Sequence, residues 1–221
     1  TCALPIYMTY LQIVNSVLRR LREEEVSTVA QNSYSKLIGE LVNDAKRTVE
    51  DSYDWTALRT GLQLSLVAGT NTYSLTGSGT SLKVFNAIDE TSKNFIQYRG
   101  STYMDNANLV TPAPTGKPQY YCFKGVDVNG DDTVEIYPTP DKAYTVTFNS
   151  AVRTDEFTND TDRLTVPSIP VTHLATALGA RERGETGGTS AAELFALAGN
   201  SLSDAIAYDS AKHPEETIWY S

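Results

Sequence analysis

Asp127-Val-Asn129-Gly-Asp131-Asp132 sets side-chain oxygens at alternate positions, as the opening of a calcium-binding loop does. Such a loop also needs a glycine at its sixth position and a bidentate glutamate at its twelfth. Asp132 and Pro138 stand there instead, so the segment reads as a hairpin turn with solvated carboxylates. Asp131/Asp132 and Asp155/Glu156 pair the residue type that hydrolyses glycosides, a chemistry that needs two carboxyl groups about 5–10 Å apart across a cleft. Neighbours in a polar loop give no sign of that placement. His173, one turn into a helical pattern, reads as a cap or core-edge residue, because no Ser or Cys lies in a recognisable nucleophile setting. Gly184-Glu-Thr-Gly-Gly188 lacks the Gly-Lys-Ser/Thr ending of a phosphate loop and follows a helix, so it reads as a helix–helix connection. Two cysteines, Cys2 and Cys122, and two histidines, His173 and His213, make neither a disulfide framework nor a zinc site. The expectation is a protein with no catalytic residue, no metal and no cofactor, made in a reducing compartment.

Charge and aromatic side chains offer a different chemistry, that of association. Arg19, Arg20 and Arg22 are followed directly by Glu23, Glu24 and Glu25, a run that serves either as a solvated face or as a self-complementary edge between copies of the chain. At the other end, Trp219 and Tyr220 sit in a polar tail beyond a Pro stop. They either fold back on their own domain or anchor into another subunit, and the second reading is favoured.

The elements that would position these groups follow from periodicity. Thr9–Glu25 carries an apolar stripe of Leu11, Val14, Leu18 and Leu21, with Thr9 and Gln12 in capping-box spacing. Three acidic residues at its end oppose the helix dipole and predict fraying. Tyr34–Trp55 is a longer amphipathic helix: Leu37, Ile38, Leu41, Val42, Ala45 and Val49 share one face, with Lys36, Glu40, Arg47 and Glu50 opposite. From Arg59 to about Ser150 the period switches to two. Leu62–Leu66, a turn at Gly69-Thr70-Asn71, and Tyr73–Leu75 predict a hairpin. Further strands are expected at Leu82–Ile88, Phe95–Tyr98, Tyr120–Val126, Thr133–Tyr137 and Tyr144–Phe148, with Asn129-Gly130 as the strongest hairpin signal. Two more helices, Val171–Arg183 and Ser190–Ala211, close the pattern. Leu194, Leu197, Ala198, Leu202 and Ile206 line one face of the last.

The expected fold is therefore α+β: a discontinuous four-helix bundle, residues 8–58 and 164–212, with an antiparallel β domain inserted at 59–163 and a tail at 213–221. The chain has 221 residues, enough for one large domain or two small ones. A net charge of −9 argues against a surface that grips nucleic-acid phosphates, and no apolar run is long enough to span a membrane. Residues 1–7, Thr-Cys-Ala-Leu-Pro-Ile-Tyr, lack the basic start and apolar core of a signal peptide. They read as a translated sequencing adaptor, which makes Met8 the expected start.

Several strings resemble the head-to-tail adaptor proteins of tailed bacteriophages, a family related to tail tubular protein A. They are MTYLQIVNSVLRRLREEEV from Met8, LIGELVNDAKRTVEDSYDW from Leu37, VAGTNTYSL from Val67, LTVPSIPVTHLATALGARERG from Leu164, and the Ala-rich helix ending at Ala207-Tyr208-Asp209. The resemblance implies a structural virion protein that forms a ring, typically twelve-fold, between the portal and the tail tube or nozzle. It implies a helical part that builds the ring, a β part turned towards tail components, and a C-terminal tail, with Ile218, Trp219 and Tyr220, that reaches the portal. DNA would pass through such a ring without specific binding. Arg19, Arg20, Arg22, Glu23 and Glu24 are the expected subunit contact. A receptor-binding component with a carbohydrate-binding β module stays open as an alternative, as does a cell-wall hydrolase.

Overall fold

The computed structural model describes residues 8–79, 81–110, 112–184 and 189–213. Residues 1–7 and the tail residues Ile218, Trp219 and Tyr220 lie outside the described residues. The chain divides into two compact units, one of residues 1–58 with 154–221 and one of Arg59–Arg153. Among the described residues there are five α-helices: α1 Tyr10–Arg20, α2 Ser33–Ser52, α3 Ser101–Asn108, α4 Ser168–Glu182 and α5 Thr189–Ser210.

In the helical unit, α1 starts at a complete capping box. Thr9 Oγ1 accepts from the Gln12 amide, and Gln12 Oε1 accepts from the Thr9 amide. It ends sooner than its sequence suggests, because Arg22 takes a left-handed φ of 59°. The Glu23 amide then donates to Leu18 O at 2.9 Å and the Arg22 amide to Arg19 O at 3.1 Å, a Schellman closure with Arg where glycine is usual. Glu23, Glu24 and Glu25 are therefore off the helix, which removes the unfavourable contact of three carboxylates with the dipole's negative end.

Helix α2 opens on a second capping box, Asn32 with Ser35, and buries Ile38, Val42, Ala45 and Val49. At Gly39 there is no room for a side chain: a Cβ would come within 2.3 Å of the Tyr10 hydroxyl and 2.8 Å of Val29 Cγ1. Beyond its end the chain doubles back, and the buried Trp55 indole N–H donates to Val49 O at 2.7 Å. Glu50 is not on the solvent side as its spacing implied. It is buried with Lys46, 3.4 Å away, and Lys46 Nζ donates to the carbonyls of Thr154 and Asp155 at 2.9 and 2.7 Å. Asn43 pairs both the N–H and the C=O of Phe157, as Asn15 pairs both of Val26. Two amide side chains thus imitate a strand partner and hold extended segments against helices.

Helix α4 packs on α1, α2 and α5. Small residues at Thr172, Ala175, Thr176, Ala177, Gly179 and Ala180 are buried and let these neighbours approach closely. Pro170 occupies its third position, where no intrahelical N–H bond is lost. Helix α5 packs chiefly on α4. Ala198 and Asp209 are buried there, whereas Leu197, expected on the packed stripe, is 47% exposed.

The other unit is a seven-stranded mixed sheet curled into a nearly closed barrel. Its strands are β1 Arg59–Leu66, β2 Thr72–Ser74, β3 Leu82–Asp89, β4 Asn94–Tyr98, β6 Tyr120–Val126, β7 Asp132–Tyr137 and β9 Tyr144–Val152, ordered β1-β9-β3-β4-β6-β7-β2. Two short segments, β5 Thr115–Gly116 and β8 Thr139–Pro140, pair apart from it. Alternate residues point inward and form one core, with Leu66, Leu75, Ala87, Val134, Val146 and Phe148 almost fully enclosed. Tyr121 of β6 meets Phe148 of β9 edge-on at 5.2 Å, although two strands separate them in the sheet. The sheet must curl for that contact to exist.

The expected hairpin of Leu62–Leu66 with Tyr73–Leu75 does not form. β1 pairs with β9 and β2 with β7, so these two runs are opposite edges of the sheet. The Tyr73 hydroxyl bridges the gap, accepting from the Val67 amide at 3.0 Å and lying 2.7 Å from Thr70 O. The hairpin at Asn129-Gly130 is present, with Gly130 at φ 85°.

The expected fold class is overturned. In place of a four-helix bundle with an inserted antiparallel β domain, the described residues form five helices and a large mixed sheet closed almost into a barrel. The parallel pairing of β4 with β6 is made possible by the intervening segment that contains α3, because parallel neighbours need a crossover. Helix α3 escaped notice because Ser101–Asn108 holds Ser, Thr, Asp and Asn, which favour turns, and only Met104 is buried.

Candidate assembly surface

Of the carboxylates that suggested metal or hydrolytic chemistry, Asp127 and Asp131 hold turns. Asp127 Oδ1 accepts from the amides of Asn129 and Asp131, and Oδ2 accepts from the Ser74 hydroxyl at 2.5 Å. Asp131 Oδ1 accepts from the amides of Gly77 and Gly79. Glu156 is paired with Arg47, while Asp155 offers its backbone carbonyl to Lys46. Asp162 accepts from the amides of Thr158 and Asn159, both at 2.8 Å. Cys122 is buried beside Glu135, and burial pushes its thiol pKa up, away from reactive thiolate. His173 lies near Arg20, and burial with that guanidinium holds its pKa below the usual value. Gly184 takes φ 75° just past α4, ending the helix, while Gly187 and Gly188 lie outside the described residues.

Two of these turns carry a pH signature. The Ser74 hydroxyl, then the loop amides, hold Asp127 below its usual pKa; the Asn159 and Thr158 amides do the same for Asp162. A carboxyl whose folded pKa is depressed adds stability above its unfolded pKa of about 3.9 and loses it as pH falls through the folded value. Melting temperature is therefore expected to fall steadily below about pH 4. In Asp127→Asn and Asp162→Asn variants that acid slope should be shallower, which thermal scans across pH would read.

The charged run at the end of α1 is exposed, and the left-handed turn at Arg22 fans its side chains apart. Arg19 bonds Glu25 at 2.6 Å, and Glu23 bonds Arg183 of the segment after α4 at 3.0 Å. Arg20 donates to Ser16 Oγ at 2.8 Å. Burial and the neighbouring Arg19 lower its pKa, yet it stays cationic at any physiological pH. The structure thus brings Arg19 and Glu23 into bonds within the subunit and leaves Arg22 and Glu24 pointing to solvent.

A second surface was not foreseen. Between the start of α4 and the end of α5 lies an open, mainly apolar groove of about 540 Å³, walled by Pro167, Ile169, Pro170, Ala205 and Tyr208. Ile169 is 62% and Tyr208 77% exposed, far more than such side chains in a packed interface. At its end, buried Asp209 accepts from the Thr56 amide at 2.8 Å and from Lys212 Nζ at 2.7 Å, and Thr56 Oγ1 lies 2.8 Å from His213 Nε2. These bonds fix the point at which the chain leaves α5. Leu197 and Tyr208, eleven residues apart and hence on one face of α5, are both exposed, and of the two only Tyr208 lines the groove. In the barrel unit, Phe95 and Tyr98 of β4, Val128 of the β6–β7 turn and Leu109 after α3 are among the apolar side chains most open to solvent.

Among the described residues, no helix is long and apolar enough to cross a membrane. Compared with known families, residues 8–214 match the model of the SU10 adaptor protein family. No curated protein matches the chain.

Proposed function

We propose, on the premise that this chain belongs to the SU10 adaptor protein family, that it forms a ring at the head–tail junction of a tailed bacteriophage, between the portal and the tail tube or nozzle. The family match over residues 8–214 carries this reading and agrees with the resemblance to head-to-tail adaptors. On this reading the protein is a structural phage adaptor, a part of the virion that is assembled in the host cytoplasm. Its work is then done by surfaces, and the carboxylates bound up in turns fit that role better than hydrolysis.

In a closed ring each subunit must present two different, complementary faces. The edge at the end of α1 supplies one, with Arg20, Arg22 and Glu24 offered to the neighbour and Arg19 and Glu23 able to exchange their internal partners for it. The helical unit builds the ring, the exposed Phe95 and Tyr98 of the barrel meet tail components, and Ile218, Trp219 and Tyr220 reach the portal. A net charge of −9 lets DNA slide through the lumen during ejection, since phosphates find few counter-charges to hold them. Charge reversal by Arg19→Glu with Arg20→Glu should strip rings from portal complexes in negative-stain images while leaving the melting temperature of the free subunit within a few degrees. Full rings in that variant would refute the edge. Failure of the unaltered protein to join its portal would refute the adaptor reading itself.

A further inference from the structure

The groove between α4 and α5 holds one carboxylate that its own subunit does not answer. Of its two acidic residues, buried Asp209 is engaged by Lys212 and by the amide and hydroxyl of Thr56. Asp204 is exposed on the groove wall and has no cationic partner among the described residues. Ile169 and Tyr208 stand open to solvent in the same groove. An occupant that is both cationic and aromatic therefore fits it. The barrel unit has such a face. Gln97 of β4, Tyr120 of β6 and Tyr137 of β7 form one row across the sheet, on the side opposite the core residues Ile96, Tyr121 and Ile136. Tyr137 stacks on Tyr120 at 6.4 Å, and Tyr103 of α3 meets Tyr120 edge-on at 5.4 Å. The Arg99 guanidinium lies over Tyr103 and Tyr120, 5.4 and 5.1 Å from their centroids, and donates to Gln97 Oε1 at 3.4 Å. No carboxylate among the described residues meets it, so its other N–H groups are open to the bidentate bond that arginine makes with a carboxylate. We propose that this Arg99–tyrosine face of one copy seats on the α4–α5 groove of the next, pairing Arg99 with Asp204 and setting Tyr103 against Ile169 and Tyr208.

Three features favour a second copy as the occupant. The first is charge. Residues 59–153 hold eight basic and eight acidic side chains, so the whole net charge of −9 belongs to the helical unit. Two helical units repel each other, whereas a neutral barrel unit meets an acidic helical unit without that repulsion. The second is side-chain type, because tyrosine and arginine are the residues on which interface energy concentrates. Each side of the contact offers an exposed tyrosine beside a charge that the other side neutralises. The third is symmetry: the two faces differ and lie on different units, as a contact that closes a ring requires. The contact rests on the ring reading and adds a second junction to the edge at the end of α1.

Sedimentation equilibrium of the full-length chain alone, at low salt, should show association that weakens severalfold as salt screens the charge pair. Arg99→Glu and Asp204→Arg, each by itself, should be monomeric at the same concentrations. Mixed in equal amounts the two variants should associate again, because each then meets on the other the opposite charge that its own copies lack. Both side chains are exposed, so circular dichroism and melting temperature should be unchanged in each variant. An unaltered chain that stays monomeric throughout would overturn the contact. So would a single variant that associates as the unaltered chain does, or a mixture no better associated than its components, the result expected if Arg99 and Asp204 met within one chain or served another protein. None of these measurements uses a portal, so the contact can fail while the adaptor function stands. A chain that associates in this way yet does not join its portal would refute the adaptor reading alone.

Discussion

Lys46→Ala is expected to destabilise the helical unit by about 3–5 kcal/mol, the range for breaking a buried ion pair by removal of one partner. Lys46 and Glu50 side chains are only 3% and 1% exposed, and the ammonium also satisfies the carbonyls of Thr154 and Asp155. Its aliphatic and charged end lies over the Phe157 ring, 5.1 Å from the centroid. Without the ammonium, Glu50 keeps one bond, from the Thr154 hydroxyl at 2.6 Å, while its other oxygen already has no partner. A buried carboxylate so placed has lost its counter-charge. Thermal unfolding should therefore begin roughly 10–20 °C lower, read by circular dichroism at the helical signal. Lys46→Met combined with Glu50→Leu should recover most of the loss, because replacing both charges with apolar groups removes the desolvation penalty together with the pair. A double variant as unstable as the single would show that the carbonyl bonds, not the pair, hold the segment.

Phe148→Ala carries a comparable penalty in the other unit, about 3–5 kcal/mol for an aromatic deleted from a core that cannot collapse around the void. Phe148 is fully enclosed, and it contacts Tyr121 across the barrel interior. Its removal empties the point where β6 and β9 face each other, which neither neighbouring strand can fill without losing register. Amide hydrogen exchange should show protection falling in β1, β3 and β9 with the helices unaffected. An equal loss in both units would mean that they unfold as one.

The difference between what the sequence disclosed and what it hid is one of range. Caps were legible because they are local: Thr9 with Gln12 lies within three residues, and the structure makes both bonds. Asn129-Gly130 was legible for the same reason. The partners of β1 and β2 were not, since alternation at Leu62–Leu66 says which face is buried but not which strand lies alongside. Nearness in sequence suggested a hairpin, and closure of the barrel placed the two runs at its opposite edges. Glu50 was misplaced because helical spacing puts it beside solvent, while a segment more than a hundred residues later covers it. Of the two exposed surfaces, the charged run of Arg19 to Glu25 announced itself by composition. The α4–α5 groove did not, because Ile169 and Tyr208 look like ordinary core residues until the helices are set side by side.

Arg59 stands opposite Ala151 in the β1–β9 ladder, so the chain enters and leaves the barrel unit at adjacent points. That has a consequence for the order of folding. Joining α2 to α4 through an unstructured stretch of roughly 95 residues would carry the entropy of closing a long loop, and about 0.6 kcal/mol accrues with each doubling of length. Five doublings separate such a loop from a turn of about three residues, a difference near 3 kcal/mol. Once β1 and β9 have paired, the helices experience only the short turn. The barrel is then the natural first folder, and the helices assemble on ends that it has already brought together.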